Sequence, residues 1–378
     1  MLVGLIGSLL IGMILLDAFE AVLLPHRVSH GFRFARFFYR GSWSLWRWLV
    51  SPVKNSRRRG TLLSLFGPLA LLVLFTAWAI GLVIAFALVH WSLQTLTTAA
   101  GAARTFNEYF YFSGVTFFTL GYGDLTPAGD LGRFLAVIET GLGFGFLATI
   151  VSYHPVLTQA FSRREVVISL LDARGGSPPT AAQILIRTHK SQQSASLGAD
   201  LANWETWCAE LLEGCLSFPV LAFYRSQHDN QSWLAALTTM LDTCALAICG
   251  ACEANQHQAR LTFAIARHAA VDLTLIFKIT PIPPEPNRLE AESLSKLIGA
   301  LEAAGMRAPT DAATIAKLTE LRGMYEPFVN GLASYFLMRM PEFSPARPTA
   351  DNWQTSAWMP RTPGILELPN VERGEHFE

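Results

Sequence analysis

Six consecutive residues, Thr119-Leu120-Gly121-Tyr122-Gly123-Asp124, combine types and spacing that suit chemistry on a cation. Gly121 and Gly123 lack a Cβ and take backbone dihedrals that most residues reach only with strain. A backbone of that kind aims consecutive carbonyl oxygens at one axis, and rings of such oxygens from several chains replace the water shell of a dehydrated cation. Thr119 adds a hydroxyl ring at one mouth and Asp124 a negative charge at the other. A Gly-Tyr-Gly triplet also fits an ordinary surface turn. Here, however, an apolar stretch, Phe106 to Phe118, leads into it and a bilayer-length apolar run, Leu131 to Val151, follows, flanks that a turn does not need.

Elements able to hold these residues in a membrane lie on either side. The chain has 378 residues, 51% of them hydrophobic, and a positive mean hydropathy, which indicates a membrane protein with a sizeable soluble part. No Lys, Arg, Asp or Glu occurs between Arg59 and Arg104. The core of that stretch, Leu62 to His90, exceeds the roughly 20 residues of a membrane helix, and Pro68 near its start is tolerated there. Trp91 to Arg104 reads as a polar turret, with Asn107 as the cap of a helix of about 11 residues, too short to span, as a re-entrant segment should be. Its C-terminal dipole favours a cation. The run after the motif holds one costly residue, Glu139, read either as a protonated or hydrogen-bonded carboxyl packed behind the short helix or as a pH-sensing or cavity charge. Gly141, Gly143 and Gly145 begin a dinucleotide-like pattern but follow no strand, so flexibility and close helix packing are their expected use.

From Leu62 to Tyr153 the chain resembles prokaryotic potassium channels with two transmembrane helices. The resemblance rests on Thr119 to Asp124, then Leu125 and Pro127, then Gly132-Arg133, then the glycine cluster. It implies an all-α membrane protein, a homotetramer because one chain carries one filter and a ring needs four, and K+ as the permeant ion at the backbone of Thr119, Leu120, Gly121, Tyr122 and Gly123, with Asp124 at the outer mouth. No cofactor and no structural metal are implied. Tyr122 would brace the filter against Tyr111, Phe112 and Phe117. Gly143, twenty residues after Gly123, occupies the place of the family's gating hinge, and the inner gate would lie near Tyr153, His154 and Pro155, with Pro155 as a bend. Two positions depart from the pattern. Leu120 replaces valine or isoleucine, and Val115 stands where some relatives carry a glutamate paired with the filter aspartate.

Charge sets the orientation. Residues 25–61 carry nine basic side chains and no acidic one, so in a chain of net charge zero the remainder sums to −9, which puts that segment on the cytoplasmic side. A filter opening outward requires the same sidedness of Leu62 to His90. Residues 1–24 read as an N-terminal membrane helix; a signal peptide would need a basic start and a small-residue cleavage site. Asp17 and Glu20 share one helical face, read as an ion pair with Arg27 or Arg33 or as a proton sensor. Arg33, Arg36, Arg40 and Arg47, interleaved with Phe32, Phe34, Phe38, Trp46 and Trp48, suggest a helix lying in the inner interface against anionic lipid phosphates. Pro52 ends it, and Arg57, Arg58 and Arg59 anchor the next span. A voltage sensor would need more spans upstream.

From Arg163-Arg164 onward the chain carries 18 basic and 23 acidic residues and reads as a soluble helical domain. Helices are expected over Ala181 to His189, Ala199 to Phe223, Trp233 to Phe277 with interruptions, Leu289 to Ala304, Ala312 to Gly323 and Glu326 to Met340. Leu234 to Cys252 is apolar enough to cross a membrane, but Asp242 at its centre favours a buried core helix. Five cysteines between Cys208 and Cys252 are expected as reduced thiols. Cys249, Cys252 and His257 lack a second ligand pair for a metal, and His228-Asp229 reads as an exposed turn. The domains are thus 1–24, 25–61, a pore at 62–155, a helical cytoplasmic domain at 156–343 and an extended tail at 344–378. The expectation is a potassium-selective, non-enzymatic channel in the plasma (inner) membrane, its C-terminal domain cytoplasmic and open to an unidentified ligand, with no nucleic-acid partner. The alternatives are a less selective cation pore and a membrane sensor or scaffold with a closed pore.

Overall fold

The uncharged stretch after Arg59 folds as one long helix, and the rest of the chain follows the same economy. The computed structural model describes residues 1–22, 34–96, 104–176, 178–190, 194–226, 231–252, 255–283 and 287–344. The expectations for Arg27, Phe32, Arg33, most of the turret, His228-Asp229 and the C-terminal tail fall outside these residues. In chain order the helices are α1 (Leu2–Val22), α2 (Phe34–Val50), α3 (Ser56–Leu93), α4 (Phe106–Phe117), α5 (Gly129–Gly175), α6 (Ala181–Lys190) and α7 (Ser194–Ser217). A 3-10 turn at Pro219–Phe223 precedes α8 (Trp233–Leu246), which runs into a π-type turn at Ala247–Ala251. Then come α9 (Gln256–Ile276), α10 (Ala291–Ala303), α11 (Ala312–Gly323) and α12 (Glu326–Phe336). Among the described residues there is no strand, and the protein is an all-α membrane protein. Two compact units form, Met1–Gln159 with Ser217–Tyr224, and Ala160–Leu216 with Arg225–Glu378.

In the first unit α3 is the post against which α1, α2 and α4 pack. Small residues let α1 come close: a Cβ on Gly7 would stand 2.7 Å from the Ala85 carbonyl oxygen, an approach typical of membrane helix pairs. Asp17 bonds a backbone amide and an indole, while the arginines expected beside it, Arg27 and Arg33, lie outside the described residues. Its carboxylate accepts from the Ala35 amide at 3.2 and 3.3 Å and from the Trp78 indole at 2.9 Å, so an acid of α1 satisfies an open N–H in the first turn of α2 and meets its dipole. At the other end α2 stops at Val50, two residues before Pro52, and α3 opens with Asn55 accepting from the Arg58 amide at 3.1 Å. Along α2, Ala35, Trp43 and Val50 are buried while Phe37, Arg40, Leu45, Trp48 and Leu49 stay exposed. Trp46 does not sit on that open face, because its indole donates to the Leu62 carbonyl at 3.1 Å.

The second unit centres on α8, in which every residue except Ala235 is buried. By length and hydropathy α1, α3, α5 and the run Trp233–Ala251 could each cross a membrane, yet the last is almost wholly covered by protein. Asp242 decides its place. It forms a two-pronged pair with Arg288 (2.9 and 3.0 Å) and accepts from the Tyr325 hydroxyl. Arg288 reaches on to Glu326 at 2.9 Å, and Glu326 is also gripped by Arg322 at 3.0 Å. Burial alone would lower the Arg288 pKa, but the carboxylates of Asp242 and Glu326 hold it well above its ordinary value. A helix carrying such a network needs protein partners and not lipid. Burial also pushes up the thiols of Cys208, Cys244 and Cys215, the last to about 12, so these cysteines sit as small apolar side chains.

Replacing Arg288 by Met leaves Asp242 and Glu326 buried together without their shared cation. The expected cost is about 3–5 kcal/mol, measured as a lowered midpoint for unfolding of this unit in thermal denaturation of the detergent-solubilised full chain.

Candidate functional site

The short helix α4 is built to end at the motif. Thr105 and Glu108 form a reciprocal cap, with the Glu108 carboxylate accepting from the Thr105 amide at 2.8 Å and its hydroxyl at 3.2 Å. Thr105 therefore caps the helix where Asn107 was expected, because Asn107 lies inside the first turn. Glu108 is also paired with Arg104 at 2.6 Å. At the far end the last carbonyls are taken by the motif itself: Phe118 donates to Gly114 at 3.0 Å, Thr119 to Thr116 at 3.1 Å, and Leu120 to Val115 at 2.8 Å. The start of the motif is thus bonded to the final turn of the helix.

From there the backbone alternates in hand. Thr119, Gly121 and Gly123 take φ of 59°, 59° and 79°, while Leu120 and Tyr122 between them do not have positive φ. Alternation of this kind lines successive carbonyls on one side of a run and successive amides on the other. Glycine tolerates the positive values at 121 and 123, whereas Thr119 holds one at a cost of order 1–3 kcal/mol. All five residues are exposed in the single chain. Tyr122 is exposed as well, and the expected brace is not assembled within one chain: Phe112 meets His90 edge-on at 5.2 Å, and Phe117 stacks toward Phe118 and Phe146. Tyr111 is likewise exposed in the single chain.

Two neighbours fix the motif's surroundings. After it the chain is tied to the outer loop, with Ala128 donating to the Thr95 carbonyl at 2.6 Å and Leu96 bridged to Pro127. Helix α5 then starts at Gly129, three residues before the expected Gly132-Arg133, and runs without a break past Gly143 and Pro155 to Gly175. At about 1.5 Å per residue it measures about 70 Å, more than twice the hydrocarbon thickness. Gly143 lies against the end of α4, where a Cβ would collide with the carbonyl oxygen of Phe117, while Gly141 and Gly145 face open space. Glu139, one turn earlier, is fully buried and points behind α4, its carboxyl against the Ser113 hydroxyl and 3.3 Å from His90.

Residues 69–156, which contain all of this, match a family model described as "Ion channel". The match is to two-helix, pore-loop channels, and the segment is similar to them. An uncharacterized membrane protein of Bacillus subtilis (strain 168), YdjJ, is 26% identical over 200 residues, covering 52% of this chain and 57% of that relative. The chain thus spans a little over half the length of the relative it matches. No solved structure matches.

The inner end of the pore carries an assembly the sequence did not signal. Tyr153 of α5, buried, meets Phe218 at 5.4 Å and Phe75 of α3 at 5.8 Å. Phe223 packs on Trp43 at 5.2 Å and Phe66 at 5.1 Å, and the Tyr224 ring lies so close over Gly67 that a Cβ there would stand 2.6 Å from it. The segment Ser217–Tyr224, far along the chain, therefore belongs to the pore unit. The helix expected over Ala199 to Phe223 ends instead at Ser217, and the apolar run Pro219–Phe223 is the sequence signal for the break. His90, near the end of an uncharged span, and Ser113 in α4 carry no motif of their own; the buried acid in the facing helix is what calls for such polar partners.

The three glycines of α5 separate by their contacts. Gly143→Ala is expected to displace α4 and abolish the assembled pore, while Gly145→Ala, in open space and with better helix propensity, is expected to leave it intact; size-exclusion profile and ion flux of the two variants, compared with the parent, check this.

Proposed function

We propose that the protein is a potassium-selective channel that passes K+ passively through a pore made by four copies, with no covalent chemistry. The observation that carries this reading is the alternating backbone of Thr119 to Gly123 in the sequence Thr-Leu-Gly-Tyr-Gly, exposed at the end of a capped re-entrant helix. Five stacked oxygen positions per chain, four carbonyl levels and a hydroxyl, offer K+ a substitute for its hydration shell. Four chains are needed to close each ring. The surfaces left bare in one chain, Phe134, Val137, Phe144, Leu147 and Val151 on α5 with Phe110 and Phe118 on α4, are the apolar faces that other copies and lipid cover.

In this reading α5 carries the gate at its inner end near Tyr153 to Pro155, with Gly143 as the point about which it moves relative to α4. The second unit sets the gate in response to a ligand on the cytoplasmic side. The protein sits in the plasma (inner) membrane with its C-terminal unit inside, and the exposed apolar and arginine-bearing face of α2, with Arg40, Arg58 and Arg59, rests on anionic headgroups. Arg36 and Arg57 share that segment.

Vesicles reconstituted with the full chain under K+ or Na+ gradients test the reading. Flux is expected with K+ and not with Na+. Gly123→Ala places a Cβ at φ 79°, costing about 1–2 kcal/mol in every copy, and is expected to lower the K+ over Na+ discrimination at least about tenfold without unfolding the second unit. Equal passage of both ions by the parent would make the pore a non-selective one, and no flux from folded tetramers would point to a sensor.

A further inference from the structure

Behind α4, three helices each contribute a fully buried polar side chain to one chain of contacts. His90 comes from α3, Ser113 from α4 and Glu139 from α5, all without solvent exposure. The Ser113 oxygen contacts two acceptors at once, the Glu139 carboxyl and the Val83 carbonyl, the latter at 2.8 Å. A hydroxyl has a single hydrogen to give. A backbone carbonyl can only accept, so Ser113 donates to Val83 and must accept from Glu139. That requires a hydrogen on the Glu139 carboxyl. Its second oxygen and His90 Nε2 face each other at 3.3 Å, short of hydrogen-bond alignment, and neither has a hydrogen-bond partner among the described residues. Beyond the ring, His90 Nδ1 meets the Thr95 hydroxyl at 2.5 Å.

The donors and acceptors then close in one direction. The Thr95 hydroxyl also faces the His90 carbonyl, but at 3.4 Å, beyond the usual O–H···O range, so Thr95 donates to His90 Nδ1. The ring hydrogen then sits on Nε2, facing Glu139, protonated Glu139 donates to Ser113, and Ser113 to Val83. Every hydrogen is used once and no net charge is left in the membrane, where an unpaired one is costly. Other ionisable groups on the packed elements are engaged elsewhere. Asp17 of α1 bonds Trp78 and Ala35, Glu108 of α4 pairs with Arg104, and Asp130 and Arg133 of α5 sit toward the helix start.

The geometry points to Glu139 as a neutral carboxylic acid that, with His90, positions the pore helix through Ser113 and so holds the filter in register. This deepens the potassium reading and rests on it for its functional part. Ser113 lies within the helix whose last turn bonds Leu120, so a shift of α4 along its axis moves the filter carbonyls. His90 is anchored through Thr95 to the loop that also holds Ala128. The relay thereby ties both flanks of the filter to α3. His90, Ser113 and Glu139 are positioning residues; none touches the ion.

Glutamine separates a neutral acid from a carboxylate, since its amide can donate to Ser113 and accept from His90 as the protonated acid does. Glu139→Gln is expected to keep the K+ over Na+ discrimination of the parent within about twofold, while Glu139→Ala and His90→Ala lose it about tenfold or more. Infrared spectra of the reconstituted full chain at neutral pH are expected to show a protonated-carboxyl band that Glu139→Gln removes. Loss of discrimination in Glu139→Gln equal to that in Glu139→Ala would overturn the proposal, as would a parent spectrum without that band. The infrared result stands whether or not ions flow, so a parent without selective flux defeats the potassium reading while the band still decides the state of Glu139.

Discussion

A backbone that turns its carbonyls toward an ion cannot also use them in a helix or sheet, and inside a membrane no water replaces the lost partners. The run Thr119 to Gly123 lies under that constraint. Thr119 to Gly123 is neither helix nor strand, it holds a threonine at positive φ, and left alone it would relax. Its conformation depends on being bonded to the last turn of α4, where Leu120 takes the Val115 carbonyl, and on α4 being held in place from all sides. Much of the first unit serves that end. The Thr105 and Glu108 cap fixes where α4 begins, Thr95 and Ala128 close the outer loop, and α5 comes close enough at Gly143 for backbone to touch backbone.

The same constraint explains the polar residues found in otherwise apolar helices. His90, Ser113 and Glu139 gather behind α4 without solvent exposure, and Asp17, half-buried, gives its oxygens to the start of α2 and to Trp78. Polar groups are drawn together in this way where the dielectric is low. In the second unit the solution is of the same kind but larger. Asp242, Arg288, Glu326 and Arg322 form a charged network at the heart of a helical bundle, and α8 is kept within protein by a charge that lipid would not accept.

The inner end of the pore unit adds a covalent consequence. Ser217–Tyr224 packs with Tyr153 of α5 and with α2 and α3, yet on both sides it continues into the second unit. The chain thus passes through the first unit on its way from α7 to α8.

Local signals in the chain determined much by themselves. The uncharged span after Arg59, the short helix, the two filter glycines and the bilayer-length run after them are each patterns of adjacent residues, and hydropathy and glycine placement act at that range. So do Asp242, whose charge marked α8 as a core helix, and most helices of the second unit, although α7 begins five residues and ends six residues before the expected Ala199 to Phe223. Tertiary structure alone decided which distant groups meet. Asp17 met a helix amide and an indole, Glu139 turned behind α4 to His90, Gly143 met the Phe117 carbonyl, and Phe218 to Tyr224 joined the first unit. Each pairing brings together residues tens of positions apart, and its energy depends on burial and on the direction of a hydrogen bond, neither of which exists until the helices have packed.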